Sequence, residues 1–232
     1  PNASWQIFKL AYDSSFRARI PTNILTPNKM DFGFLEIFSG ASAASGYNFD
    51  SLFIPFRCVA SDVTDSKEVI FKNGQLEKAI RASMTFPFYF KPIRINGKIM
   101  FDGGLYNNFP VDVLEEEFAP DFIIGSKAAN NYGPPKEDDP VSMIQSMLMA
   151  PTKYKVPEEN GILVEPNLWS VNVTDFSNTK AFIDSGFVAT INKLPEIKKL
   201  IKNRENTSDI KEKRVQFRNA KPKFKIQNIV IK

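Results

Sequence analysis

The sequence predicts an α/β fold, with helices packed on the faces of a sheet. Three observations carry this. Runs of β-branched and aromatic residues alternate with runs of helical period along the chain. An Asn-Gly pair divides two of the strand-like runs, the strongest short hairpin signal. At 232 residues, with 43% hydrophobic and 24% charged content, the chain can bury a full core without disulfide or metal staples.

Taken in order, Pro1–Arg19 places Trp5, Phe8 and Tyr12 on one face of a short helix. Pro21 and Pro27 punctuate the loop that follows. Met30, Phe34, Ile37, Phe38, Ala41 and Ala44 recur at helical spacing, with Pro27 and Asn28 at the start and Gly46 at the stop. Leu52–Val63 reads as a largely buried strand ending at Asp62, and Glu68–Phe71 as a shorter one. Leu76–Met84 fits a helix closed by Pro87, and Pro92–Phe101 a hairpin turning at Asn96-Gly97. Pro110 sits in the first turn of a helix whose face carries Val111, Leu114 and Phe118. Asp121–Ser126 is a short buried strand, Asn130–Pro140 a polar surface loop, Val141–Met149 a helix and Ile162–Glu165 a strand. Ala181–Ile201 is helical, with Pro195 at a kink or a joint. Phe224–Ile231 carries a final strand signal. This order predicts that Ile54–Asp62, Pro92–Phe101 and Asp121–Ser126 share one sheet, with the helices Leu76–Met84 and Pro110–Phe118 packed on it.

Composition narrows the chemistry. The chain has no histidine, so no Ser-His-Asp triad can be completed within it, and histidine-ligated zinc is excluded. Its one cysteine, Cys58, cannot form an internal disulfide. Any hydrolytic chemistry must rest on another base, a carboxylate or a lysine. Charge is divided unevenly: residues 1–197 hold 18 basic and 23 acidic side chains, whereas residues 198–232 hold 12 and 3. The break places a domain edge or a linker near Lys198. The tail reads as a solvated basic helix, with a nucleic-acid or anionic-lipid patch as the other reading; Phe217 is the one aromatic in the basic cluster Lys211–Arg218.

Asp102-Gly103-Gly104 is the most suggestive segment. It follows a strand-like run, and its two glycines let the backbone turn sharply beside another segment. A carboxylate there lies at the end of a strand, where sites gather in α/β sheets; a plain turn with the aspartate bonded to its own backbone is the competing reading. Ser83 and Thr85 are hydroxyls near this turn, for substrate or for the end of a helix. Asp62 ends a strand and can orient backbone amides or Arg57. Phe86, Phe88, Tyr89 and Phe90 form an aromatic cluster, core by default. Glu137-Asp138-Asp139 is a proline-flanked, solvated acidic run.

Three blocks, Ile54–Asp62, Leu76–Pro87 and Asp102–Asp112, resemble the patatin-like phospholipases in order and spacing. The resemblance is best over Phe53–Ser126 and looser from about Met30 to Thr190. It implies a three-layer α/β/α domain with a mixed, mainly parallel central sheet. It also implies a serine acyl hydrolase of lipid esters that works through a Ser-Asp dyad without histidine. By this resemblance Asp102 is the dyad base, Gly103 and Gly104 form the active-site loop, and Phe86, Phe88 and Phe90 are acyl-chain contacts. No cofactor or metal is implied. The implied partners are a lipid ester and a membrane surface, and no nucleic acid.

Two elements of the family do not appear: the glycine-rich oxyanion loop and the Gly-x-Ser-x-Gly nucleophile elbow. The nearest approach is Gly40-Ala-Ser42-Ala-Ala44, which lacks the second glycine and follows a helical rather than a strand pattern. Ser42 is therefore either a degenerate nucleophile or a small residue packing a helix. The expected organisation is a partial patatin-like domain over 1–204, its nucleophile-bearing part upstream of Pro1, and a basic linker over 205–232 that begins a following domain. The stretch from Lys213 to Ile231 resembles, more briefly, the junction of bacterial patatin-like proteins that continue into POTRA-like and outer-membrane barrel domains. An outer-membrane or cell-surface location follows from that resemblance alone. On these expectations the isolated chain is inactive. A patatin-fold module that has lost its nucleophile and serves in interaction is the alternative.

Overall fold

A computed structural model describes residues 11–12, 18–19, 23–131, 133–135, 137–138, 143, 146–147, 151–168, 177–201 and 205–220. The chain divides into two compact units: residues 1–106 with 208–232, and residues 107–207.

In the first unit, β1 (Ala11–Tyr12) pairs antiparallel with β2 (Ala18–Arg19), and β3 (Asn23–Leu25) pairs parallel with β6 (Phe88–Phe90). Tyr12 is thus in a strand, against the expected helix, while Trp5 and Phe8 lie outside the described residues. Helix α1 spans Asn28–Ala44 and stops before Gly46, which takes φ +61°. Phe34 and Phe38 pack with tilted rings, centroids 5.8 Å apart, whereas Ile37 turns outward and is exposed. The predicted strand over Leu52–Val63 shortens to β4 (Cys58–Asp62). A 3₁₀ turn at Phe49–Ser51 and Pro55 precede it, and Ile54 is 70% exposed. The end at Asp62 is as expected, and all five β4 residues are buried.

β5 (Lys67–Phe71), β4, β8 (Lys98–Asp102) and β7 (Ile93–Ile95) form a four-stranded sheet in that order. Every pairing in it is antiparallel, which corrects the expectation of a mainly parallel central sheet. The connections explain this. β4 joins β5 through residues 63–66, and β7 joins β8 through Asn96-Gly97, where both residues take positive φ. Links this short can only reverse the chain. Helix α2 (Leu76–Ser83) packs Leu76 and Ala79 with Phe49 and Cys58, and Ala82 with Ala60 and Met100.

Two polar details hold this unit. Ser42, fully buried in α1, donates its hydroxyl to Glu77 Oε2 at 3.0 Å and accepts the Leu76 N–H at 3.0 Å. A serine of one helix therefore caps the other, where Gln75 offers no side-chain cap. Ser42→Ala is expected to cost about 2 kcal/mol in urea unfolding, because a buried donor and a buried carboxylate both lose their partner. At the end of β4, Asp62 Oδ1 accepts the N–H groups of Thr64 and Asp65, while Oδ2 lies 3.0 Å from Lys98 Nζ. Arg57 pairs with Asp50 instead, at 2.6 Å. Burial pushes the Asp62 carboxyl up, but Lys98 and the two amides outweigh it and hold it below its ordinary range. Stability from this group is present above the ordinary carboxylate range and lost as pH falls through the depressed value. A Lys98→Met variant is accordingly expected to unfold at lower temperature than wild type at pH 7, with the gap closing in acid.

In the second unit, α3 (Val111–Phe118) follows Pro110, and β9 (Ile123–Ser126) pairs parallel with β10 (Gly161–Val164). The expectation that Asp121–Ser126 shares one sheet with Ile54–Asp62 and Pro92–Phe101 is corrected: its hydrogen-bonded neighbour is β10, in a two-stranded sheet. β9 alternates buried and exposed residues, so it covers a core on one face. Gly125 and Gly161 sit tightly against Val156, where a Cβ would fall 2.8 and 2.7 Å from its side chain. Helix α4 (Thr179–Leu200) runs through Pro195 and buries Ile197 against Ile162 and Val164. The loop expected over Asn130–Pro140 has no helix or strand among its described residues. Most of Val141–Met149 lies outside the described residues.

Helix α5 (Thr207–Asn219) groups with the first unit and has no buried residue. Phe217 meets Phe53 at 6.3 Å between centroids, and Arg214 lies 5.1 Å over the same ring. The expected strand Phe224–Ile231 lies outside the described residues. No helix among those described is long and apolar enough to cross a membrane.

Candidate active site

Asp102 ends β8 and begins a 3₁₀ turn over Gly103–Leu105. An aspartate suits that position because its short carboxylate can reach the turn's own amides: Asp102 Oδ1 accepts the Gly104 N–H at 2.8 Å. The backbone of Asp102 is held from two sides. Its N–H donates to Thr85 O at 2.9 Å, and its carbonyl accepts the Ser61 hydroxyl at 2.7 Å. In β4 its direct neighbour is Ala60.

The glycines have separate work. Gly103 lies flat against β4, where a Cβ would stand 2.4 Å from Val59 O and 2.8 Å from Val59 C. Gly104 is buried and supplies the N–H that orients the carboxylate. Burial pushes the Asp102 carboxyl above its ordinary value, and the single Gly104 hydrogen bond only partly opposes this. The result is a carboxylate with raised proton affinity.

Cys58 contributes to this environment. Its thiol donates to Ala79 O at 3.3 Å. Burial pushes it up to about 11; a hydrogen bond with Ser83 opposes this and the Asp102 charge adds to it. Cys58 is thus a neutral thiol and not a nucleophile.

The other predicted positions separate. Thr85 is fully buried and bonds the Arg81 carbonyl at 2.6 Å, the helix-end reading of that hydroxyl. Phe86 meets Tyr89 edge-on at 5.4 Å, Phe90 lies 5.3 Å from the Arg81 guanidinium, and Phe88 is 43% exposed at φ +68°. Ser42 has both capacities of its hydroxyl engaged in the α1–α2 cap. Ser61 and Arg81 were not singled out from sequence. Ser61 carries no local signal; Arg81 carries one, as a charged residue one position from the buried stripe Leu76, Ala79 and Ala82.

Residues 9–115 match the family model for patatin-like phospholipase. The match takes in all three blocks singled out in the sequence and extends upstream of them. Over 91 residues the chain is 32% identical to an uncharacterized NTE family protein of Mycobacterium tuberculosis, covering 39% of this chain and 25% of the relative. Over 94 residues it is 33% identical to the neuropathy target esterase sws of Drosophila melanogaster, covering 37% and 7%. Over 66 residues it is 36% identical to patatin-like phospholipase domain-containing protein 6 of Mus musculus, covering 28% and 5%. The chain therefore spans a quarter or less of the length of these relatives. The matches support a patatin-like phospholipase family assignment.

Proposed function

We propose that this patatin-like chain is part of a serine acyl hydrolase of lipid esters and that Asp102 is the base of its Ser-Asp dyad. The observation that carries the reading is the Asp102 carboxylate itself: shielded, raised in proton affinity, and oriented by one glycine amide at the end of a strand. Names such as esterase and phospholipase among the matched relatives support the substrate class.

In this mechanism the serine hydroxyl attacks the ester carbonyl carbon while Asp102 takes its proton. The alcohol leaves with a proton returned by Asp102, and water then releases the acyl group from the serine by the same route. Gly104 holds Oδ1, and in this reading Oδ2 is the oxygen that takes the proton. In this reading the nucleophile is not Ser42, whose hydroxyl is committed to a helix cap. The test is ester hydrolysis and fluorophosphonate labelling of the 232-residue chain and of a longer protein that supplies the serine. The longer protein is expected to hydrolyse and to label; the 232-residue chain is expected to do neither. Stoichiometric labelling at Ser42 would overturn this reading.

A further inference from the structure

Arg81 is 4% exposed, and a guanidinium is among the most costly groups to bury unless every donor is used. Here its donors reach in three directions. Nε bonds Asp31 Oδ1 at 2.7 Å, Nη1 bonds Thr85 Oγ1, and Nη2 bonds the Lys91 carbonyl at 3.0 Å. The Phe90 ring lies alongside. The Arg81 ion pair reaches an Asp31 side chain that is 45% exposed and so adds little stability, and the buried guanidinium is better explained by what it fixes.

What it fixes is legible in the β7–β8 register. Ile95 pairs with Lys98 and Ile93 with Met100. Continued by two residues, the hairpin would pair Lys91 with Asp102. Hydrogen-bonded pairs alternate along an antiparallel ladder, so the Asp102 N–H would then meet the Lys91 carbonyl. In this protein Arg81 takes the Lys91 carbonyl, and the Asp102 N–H goes to Thr85 O. Thr85 is itself pinned to Arg81 twice, through the Arg81 carbonyl and the guanidinium. The same guanidinium thus closes the regular ladder one step before Asp102 and holds the carbonyl that replaces it.

We infer that Arg81 and Thr85 are positioning residues for Asp102, a brace that detaches the end of β8 from the hairpin and fixes where the carboxylate points. The inference rests on the reading of Asp102 as the reacting base, and its first test does not depend on catalysis. Amide exchange is followed by NMR in the 232-residue chain for wild type, Thr85→Val, Thr85→Ser and Arg81→Lys, with Ile93→Val as a core variant outside the brace. Thr85→Val and Arg81→Lys are expected to speed exchange of the Asp102 amide about tenfold relative to the other β8 amides. Thr85→Ser, which keeps the hydroxyl, is expected to stay near wild type. Exchange at Asp102 no faster in Thr85→Val than in Ile93→Val would overturn the brace. In the longer protein the same two variants are expected to lower kcat about tenfold with KM unchanged. A loosened Asp102 with unaltered kcat would leave the brace standing and overturn the reading of Asp102 as the base.

Discussion

Asp102→Asn is expected to lower ester hydrolysis about 10³–10⁴-fold in the protein that supplies the serine, while making the 232-residue fold more resistant to heat at neutral pH. Both effects have one cause. The carboxylate is desolvated and gains only the Gly104 amide in return, so its proton affinity is raised. The amide of asparagine keeps the shape and can still accept from Gly104, but it cannot take a proton from a hydroxyl. The stability effect has a definite sign with pH. A raised carboxyl favours the folded state most when protonated, so its contribution is present below the ordinary aspartate value and is lost as pH rises through the folded-state value. Melting of wild type and variant should coincide in acid, with the variant pulling ahead as pH rises to 7. Activity runs the other way in wild type and declines as pH falls through the same raised value. Equal melting at every pH, or retained turnover, would count against a shielded base.

Gly103→Ala is expected to be the most disruptive single methyl that the site can receive, costing about 3 kcal/mol or more. The added Cβ would meet Val59 O at 2.4 Å and Val59 C at 2.8 Å, both backbone atoms of the buried strand β4. A flexible side chain could swing aside from such a contact, but a ladder carbonyl at the centre of a sheet cannot move without parting β4 from β8. Urea denaturation should show a large fall in midpoint. Gly97→Ala is a useful contrast: nothing lies within 4 Å of its added Cβ, and its cost comes from φ +81° alone.

The parts of the fold that were legible in the sequence are those whose signals are local. The Asn96-Gly97 hairpin, the helices Leu76–Ser83 and Val111–Phe118, and the end of β4 at Asp62 each depend on residues within one turn or one strand. What escaped was partnership across long separations. Nothing in Ile123–Ser126 indicates that its neighbour is Gly161–Val164 rather than Cys58–Asp62, since a buried strand reads alike in either sheet. Phe88–Phe90 looked like core because three aromatics in a row carry no period, and its pairing with Asn23–Leu25 spans some sixty residues. The site divides in the same way. Asp102-Gly103-Gly104 announced itself because the turn chemistry is contiguous. Ser61 lies 41 residues away and makes its contact only once β4 and β8 align. Arg81 left a trace, since a guanidinium one position off a stripe of small buried residues must have partners waiting for it.

The cap that α1 lends to α2 also makes the shorter helix depend on the longer one. α2 has eight residues, well short of the roughly 12–15 at which an isolated helix becomes marginally stable in water. Its first amide has no partner nearby and waits for a serine hydroxyl 34 residues earlier in the chain. On its own α2 is therefore expected to hold little helicity before it meets α1. The loop between them must close before α2 gains this cap, and Thr85 lies just beyond its last turn. Loss of the α1–α2 contact is accordingly expected to loosen Thr85 and, through the Thr85 carbonyl, the Asp102 amide.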